Sequence, residues 1–278
     1  MKIEKYEGRG LSRYKTFNRA EFFTNIESAE DAISAFEFAR ANCKKTFVLG
    51  AGSNAFFKNR YIRTFILKNA LPTNITHLGG DRFEVSSSVK MLDLLKKMYG
   101  ERRDACYYLA SAPCEVGGAL AMNAGTGPRE GKCIFGFVEI VKFVRGGKIF
   151  EKRAAEIAHS HRNTELSDGD TFVLSAVFRF PPADFDDDPI AARLEWAKEN
   201  QDLSLPNCGS LCNKYDRRLM AFAGALFRFA PAGLSKKKIN WGINKSDNPA
   251  WFATFLFTLK ALHKIFRKEI RFEIKTVE

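Results

Sequence analysis

The stretch Thr46-Phe47-Val48-Leu49-Gly50-Ala51-Gly52-Ser53-Asn54 decides how this chain is read. Its apolar opening predicts a strand, and its glycine-rich end predicts a loop that can sit against a phosphate. Glycine allows backbone N–H groups to approach an anion closely and to take turns that a Cβ forbids. A second run of small residues follows at Ala112-Pro113-Cys114-Glu115-Val116-Gly117-Gly118-Ala119-Leu120-Ala121-Met122-Asn123-Ala124-Gly125. Two such loops point to one large phosphate-bearing cofactor gripped from two sides. The first is not the dinucleotide fingerprint G-x-G-x-x-G, because Ala55 stands where the third glycine belongs, and no P-loop lysine follows it.

Working outward, local signals place the neighbouring elements. Ser28-Ala29-Glu30-Asp31 predicts a capped helix through about Asn42, and Thr64 to Leu67 a strand. Phe83 to Ser87 alternates like a strand, with Ser88 as the N-cap of a helix reaching Tyr99. The second glycine run leads into a short helix. Gly146-Gly147 between Phe137–Val144 and Lys148–Lys152 predicts a hairpin, and Thr171 to Phe180 another strand. Pro181 to Pro189, with adjacent prolines and an acidic run, marks the best candidate domain boundary. A helix over Ile190 to Asn200 follows. Asn248-Pro249 predicts a helix start, with the helix reaching about Lys268, and Ile270 to Lys275 reads as a last strand. The pattern is α+β.

The chain has 278 residues, 45% of them hydrophobic and 27% charged, which fits a globular protein of two or three domains. The longest apolar run, Trp251 to Leu259, is too short to span a bilayer and holds two threonines, so no membrane partner is expected. The start Met1-Lys2-Ile3-Glu4-Lys5 has no apolar signal core, and six cysteines in this length read as reduced thiols, so a cytoplasmic location is expected. No metal site is expected: His159 and His161 lack further ligands at a familiar spacing. Net charge is +12, and Leu205 to Glu278 carries 14 Lys/Arg against 5 Asp/Glu. A region so basic attracts an anion, either a nucleic acid or a phosphorylated small molecule. Lys236-Lys237-Lys238 without neighbouring stacking aromatics does not make a nucleic-acid module, so no nucleic-acid partner is expected.

The residues carry a resemblance. Leu49 to Asn54 after a strand resembles the pyrophosphate loop of the UDP-N-acetylenolpyruvoylglucosamine reductases, the MurB family. Pro113 with Val116-Gly117-Gly118-Ala119 and Met122-Asn123-Ala124-Gly125 is similar to that family's second flavin-binding stretch. His161-Arg162-Asn163-Thr164 stands where the family has Tyr-Arg-x-Ser. Pro206-Asn207-Cys208-Gly209-Ser210 resembles its Gly-Ser motif, and Arg271-Phe272-Glu273-Ile274-Lys275 its C-terminal glutamate segment. Five motifs in order cover the chain from about Thr46 to Lys275.

The resemblance implies a fold: the α+β FAD-binding type of the vanillyl-alcohol oxidase (PCMH) group, with a C-terminal MurB-like substrate domain. It implies FAD-binding subdomains over 1–70 and 71–182 and a substrate domain over 183–278. It also implies FAD as cofactor, NADPH as co-substrate and a UDP-sugar as substrate. The implied reaction reduces UDP-N-acetylglucosamine enolpyruvate to UDP-N-acetylmuramate in peptidoglycan synthesis. FAD would be held by Gly50, Ala51, Gly52, Ser53, Asn54, Pro113, Val116, Gly117, Gly118, Asn123, Ala124 and Gly125. Ser210 would donate a proton, and Arg162 and Glu273 would stabilise the enol-like intermediate.

The chain also departs from the family. Cys114-Glu115 replaces Gly-Thr, His161 replaces tyrosine, and Lys214 is displaced by one position. Pro249 and Trp251 stand where the family carries His and Asn. A carboxylate at Glu115 close to a pyrophosphate is unfavourable unless it points away. The alternative reading is therefore a flavin- or nucleotide-binding protein of the same fold with lost or altered activity.

Overall fold

The computed structural model describes residues 1–127 and 130–278 and divides the chain into two compact units. The first comprises Met1–Ile3, Phe23–Ala51 and Phe65–Ala197; the second comprises Glu4–Phe22, Gly52–Thr64 and Lys198–Glu278.

In the first unit, the strand Phe65–Asn69 lies between Thr46–Leu49 and the end of Asn18–Ile26, parallel to both. Parallel strands need crossovers, and the helix Ala29–Ala41 supplies one. Ser28 starts that helix by accepting from Asp31 N at 3.1 Å, which is the capping chemistry its sequence predicts. A five-stranded antiparallel sheet follows, ordered Lys148–Arg153, Val138–Arg145, Thr171–Arg179, Arg82–Ser86, Ile75–Gly79. Gly146 and Gly147 turn the outer hairpin with φ of +56° and +79°, a conformation glycine adopts without strain. Phe83, Val85, Phe143, Phe178 and the helix residues Leu94, Leu95 and Met98 form one buried core.

The helix after Arg82–Ser86 starts later than its sequence suggests. It spans Met91–Gly100 with Lys90 as N-cap. Ser88 instead donates its hydroxyl to Pro72 O at 3.2 Å. Val89 is buried outside the helix, where its carbonyl accepts from Val116 N.

In the second unit, Asn207–Ser210, Trp241–Asn244 and Ala232–Leu234 form an antiparallel sheet. The helices Arg217–Leu226 and Pro249–Ile265 pack on a core of Tyr14, Phe56, Met220, Phe252, Phe255 and Leu259. Asn248 caps the second helix by accepting from Ala250 N, and Pro249 fills its first turn. His263, fully buried, accepts from Asp216 N at 3.0 Å and so ties this helix to the N-cap of the other.

The predicted final strand is two strands. Arg271–Phe272 pairs antiparallel with Cys212–Lys214, whereas Lys275–Val277 pairs parallel with Ala55–Phe57. Glu273 and Ile274 form the bend between them. Among the described residues no helix is long and apolar enough to cross a membrane.

Candidate functional site

In the first unit the two glycine runs meet at a charged contact. Lys68, on the strand Phe65–Asn69, donates to Gly50 O at 2.9 Å and to Glu115 Oε1 at 3.2 Å. Asn69, next along that strand, donates to Glu115 Oε2 and to Ser87 Oγ. The Glu115 carboxylate does not point away from the first loop: a Cβ placed on Gly50 would lie 3.1 Å from Glu115 Oε2. Lys68 supplies the counter-charge. Burial raises the Glu115 pKa above the usual carboxylate value, with Lys68 and then Asn69 and Lys90 opposing that shift. Beside it, burial pushes the Cys114 thiol up to about 12, so it stays protonated at neutral pH.

The second run folds back on the sheet before opening. Val116 N donates to Val89 O and Gly117 N to Ser87 O, both below 3 Å, so these amides anchor the loop to the protein. Gly117 is required by crowding, since its Cβ would fall 2.9 Å from Ser87 Cβ. Gly118 differs: nothing lies within 4 Å of where its Cβ would be. Glycine there is not explained by the protein's own packing. It leaves a face that a flat ligand can approach. Asn123, buried and with φ +41°, donates Nδ2 to Ser160 O at 2.9 Å, while its Oδ1 has no hydrogen-bond partner among the described residues. A buried amide oxygen left unmatched marks a place for a donor.

Arg162 is fastened to this run. It lies in the turn between His159–Ser160 and Asn163–Thr164, with φ +57°. Three side-chain bonds clamp that hairpin to the glycine run: Asn123 Nδ2 to Ser160 O, Arg162 Nη2 to Gly125 O at 2.9 Å, and Thr164 Oγ1 to Ala121 O at 2.8 Å. A cleft in this region is lined by Asn123, Gly125, Thr126, Cys133, Ser160 and His161. Burial and the nearby Arg162 both lower the His161 pKa, so its ring is neutral at pH 7.

The second unit holds the rest of the first loop with Ser210 and Glu273. Gly52 has φ +65°, and a Cβ there would fall 2.5 Å from Leu11 O, so only glycine fits. Asn54 donates to Glu273 O at 3.2 Å, and its own carbonyl accepts from Lys275 N at 3.0 Å. Glu273 N donates to Leu211 O at 2.8 Å, one residue beyond Ser210. Asn207 fixes the turn before Ser210, donating to Asp202 O and Leu205 O and accepting from Gly209 N. Asn54 and Glu273 are thus bonded directly, and Ser210 is the sequence neighbour of Leu211, whose carbonyl accepts from Glu273 N. The displaced Lys214 is engaged with Glu269 at 2.7 Å.

Sequence reasoning missed Lys68 and Asn69, which no motif marks; only the pairing of Phe65–Asn69 beside the glycine run gives them a part. Asn207 stood in the Gly-Ser motif without a role, and the turn at Gly209 gives it one.

The chain aligns with curated relatives over most of its length. The UDP-N-acetylenolpyruvoylglucosamine reductase of Chlamydia felis (strain Fe/C-56) is 28% identical over 237 residues, 83% of this chain and 73% of the relative. That of Chloroherpeton thalassium (strain ATCC 35110 / GB-78) is 27% identical over 255 residues, 86% and 80% of the two chains. The chain is thus similar over most of its length to the UDP-N-acetylenolpyruvoylglucosamine reductases. The fold agrees. The crystal structure of the MurB reductase from Thermus caldophilus superposes with a TM-score of 0.79 at 19% identity, covering 100% of both chains. The fold class expected from the five motifs is thus the one observed. No family model matches the chain.

Proposed function

We propose that this chain is a MurB-type FAD-dependent oxidoreductase that reduces UDP-N-acetylglucosamine enolpyruvate to UDP-N-acetylmuramate, with NADPH as electron donor, in cytoplasmic peptidoglycan synthesis. The observation that carries this reading is the cluster in the second unit. Glu273 N on Leu211 O and Asn54 Nδ2 on Glu273 O tie the backbone of Glu273 to the residue after Ser210 and to the end of a phosphate-type loop.

The residues fit the cofactor. Gly50, Ala51, Gly52, Ser53 and Asn54 form one holding segment. Pro113, Val116, Gly117, Gly118, Asn123, Ala124 and Gly125 form the other. Support comes from the unfilled space at Gly118 and the unmatched Asn123 Oδ1. Within these segments Val116 and Gly117 act through shape, since their amides are bound to the carbonyls of Val89 and Ser87. When bound, FAD supplies the hydride for the enolpyruvyl double bond.

The chain's own groups handle charge and proton. Ser210 holds the proton destined for the adjacent carbon; a hydroxyl is a weak acid and must be held in place to donate. Arg162 carries a guanidinium suited to a carboxylate and a developing enolate, and Glu273 is the acid that the resemblance assigns to the same intermediate. The clamp of Arg162 on Gly125 O keeps the guanidinium from swinging with solvent. The basic stretch Leu205–Glu278, within the proposed substrate domain 183–278, suits a diphosphate that also carries a carboxylate.

The test is product analysis. Incubation with NADPH and the enolpyruvyl UDP-sugar is expected to give a product heavier by two hydrogens. Ser210→Ala is expected to abolish it while retaining flavin. Flavin without product in the unaltered protein favours the alternative of a flavin-binding relative with lost activity.

A further inference from the structure

The second unit exposes an unusual set of apolar side chains on its two helices. On Arg217–Leu226 and the turn after it, Phe222, Leu226 and Phe229 are 52%, 58% and 93% exposed. On Pro249–Ile265, Trp251, Phe257 and Ile265 are 47%, 72% and 71% exposed, and Phe266 just beyond is 58%. At 3.6 residues per turn the three within the second helix fall inside about a third of its circumference. The opposite face, with Phe252, Phe255, Leu256 and Leu259, is buried in the core. The outer stripe is therefore surplus to folding. Single exposed apolar residues are ordinary; rows of them on two helices of one unit mark an interaction surface.

Charge indicates what covers it. From Arg217 to Lys268 the chain has eleven Lys/Arg and one Asp/Glu. The single acid, Asp247, is paired with Arg9 at 2.9 Å. Neither helix contains a carboxylate. Exposed Lys260 and Lys264 lie on the second helix with Arg267 just beyond it, and Arg218 lies on the first with Arg228 just beyond. A second copy of this face would meet the same excess of positive charge and be repelled. Nucleic acid gains nothing from Leu226 and Ile265. Aromatic and aliphatic rows bordered by long cationic side chains suit the headgroup boundary of an anionic bilayer: rings enter the acyl region while lysines and arginines reach the phosphates.

We propose that the outer faces of these two helices dock the protein peripherally on a membrane rich in anionic phospholipid. Surface binding of this kind needs no spanning helix. Trp251, which departs from the family pattern, acquires a part as one of the interfacial rings.

Cosedimentation of the full chain with vesicles tests this. Binding is expected to vesicles of phosphatidylcholine with phosphatidylglycerol, and not to phosphatidylcholine alone. High salt should release it. The double variant Phe229→Ser/Phe257→Ser is expected to weaken binding by roughly tenfold or more, with an unchanged circular dichroism spectrum. If that variant fails to fold, Lys260→Gln/Lys264→Gln serves, with weaker binding at low salt expected. Failure to bind anionic vesicles overturns the proposal, as does binding indifferent to both variants. So does self-association by light scattering that the Phe229→Ser/Phe257→Ser variant abolishes, without vesicle binding, since a second copy would then be the occupant. Capture by an acidic polypeptide but not by anionic vesicles also overturns it. None of these readouts depends on reductase activity.

Discussion

Lys68 bonds Gly50 of the first glycine run and Glu115 of the second, at 2.9 and 3.2 Å. One cation thus fastens both runs and supplies the counter-charge to the Glu115 carboxylate. Glu115 is about one-eighth exposed at its side chain and Lys68 about one-third, so truncating Lys68 leaves a mostly buried acid without its counter-charge. Lys68→Ala is expected to cost about 1–2 kcal/mol, less than a fully buried pair because solvent reaches the lysine and the acid can take up a proton. Denaturant unfolding measures this.

The same carboxylate gives a pH signature. Its folded pKa is raised, chiefly by burial, so its contribution to stability is fully present below the unfolded value and is lost as pH rises through the folded one. Glu115→Gln carries no such loss. Asp31, Glu165 and Asp202 have lowered values and slope the other way, so the comparison must be by difference. Between about pH 4 and pH 7 the stability of the Gln variant relative to the unaltered protein is expected to rise with pH. A difference that is flat, or falls, contradicts the assignment.

Two glycine substitutions should behave in opposite ways. Gly52→Ala places a Cβ 2.5 Å from Leu11 O at φ +65° and is expected to destabilise by roughly 2 kcal/mol or more. Gly118→Ala meets nothing within 4 Å on a helix and is expected to be neutral or stabilising by up to about 1 kcal/mol. It should nevertheless lose flavin, if that open face receives it. Thermal unfolding and the flavin-to-protein absorbance ratio separate the two effects.

His263 spans the two helices of the second unit by donating to Leu259 O at 2.7 Å and accepting from Asp216 N. His263→Ala removes a fully buried ring and leaves Asp216 N without its acceptor. A loss of about 2–4 kcal/mol is expected by denaturant unfolding.

The cysteines should report burial. Cys43 is exposed, whereas the Cys106, Cys114 and Cys208 thiols are each pushed up to about 12 by burial. A thiol reagent at neutral pH is expected to label Cys43 first and the other three only on unfolding, as peptide mapping would show.

Much of the architecture was legible where its cause is local. Ser28 and Asn248 announce their helices because a cap needs only the next three residues, and Gly146-Gly147 announces a hairpin because the turn needs positive φ. Ser88 misled because a serine before an apolar run has the cap's chemistry, but its hydroxyl found Pro72 O instead. Glu273 read as a strand residue because its neighbours are strand formers. The bend arises from two partners distant in sequence, Cys212–Lys214 and Ala55–Phe57, competing for adjacent residues. Glu115 looked unfavourable because Lys68 lies 47 positions away and meets it only in the folded chain.

The central claim is that bound flavin passes electrons from NADPH to an enolpyruvyl UDP-sugar, and an anaerobic visible-absorbance titration tests it most directly. The purified protein is expected to be yellow, to bleach with NADPH, and to regain its colour when UDP-N-acetylglucosamine enolpyruvate is added. Flavin that NADPH does not reduce, or reduced flavin that the enolpyruvate does not reoxidise, would contradict the claim.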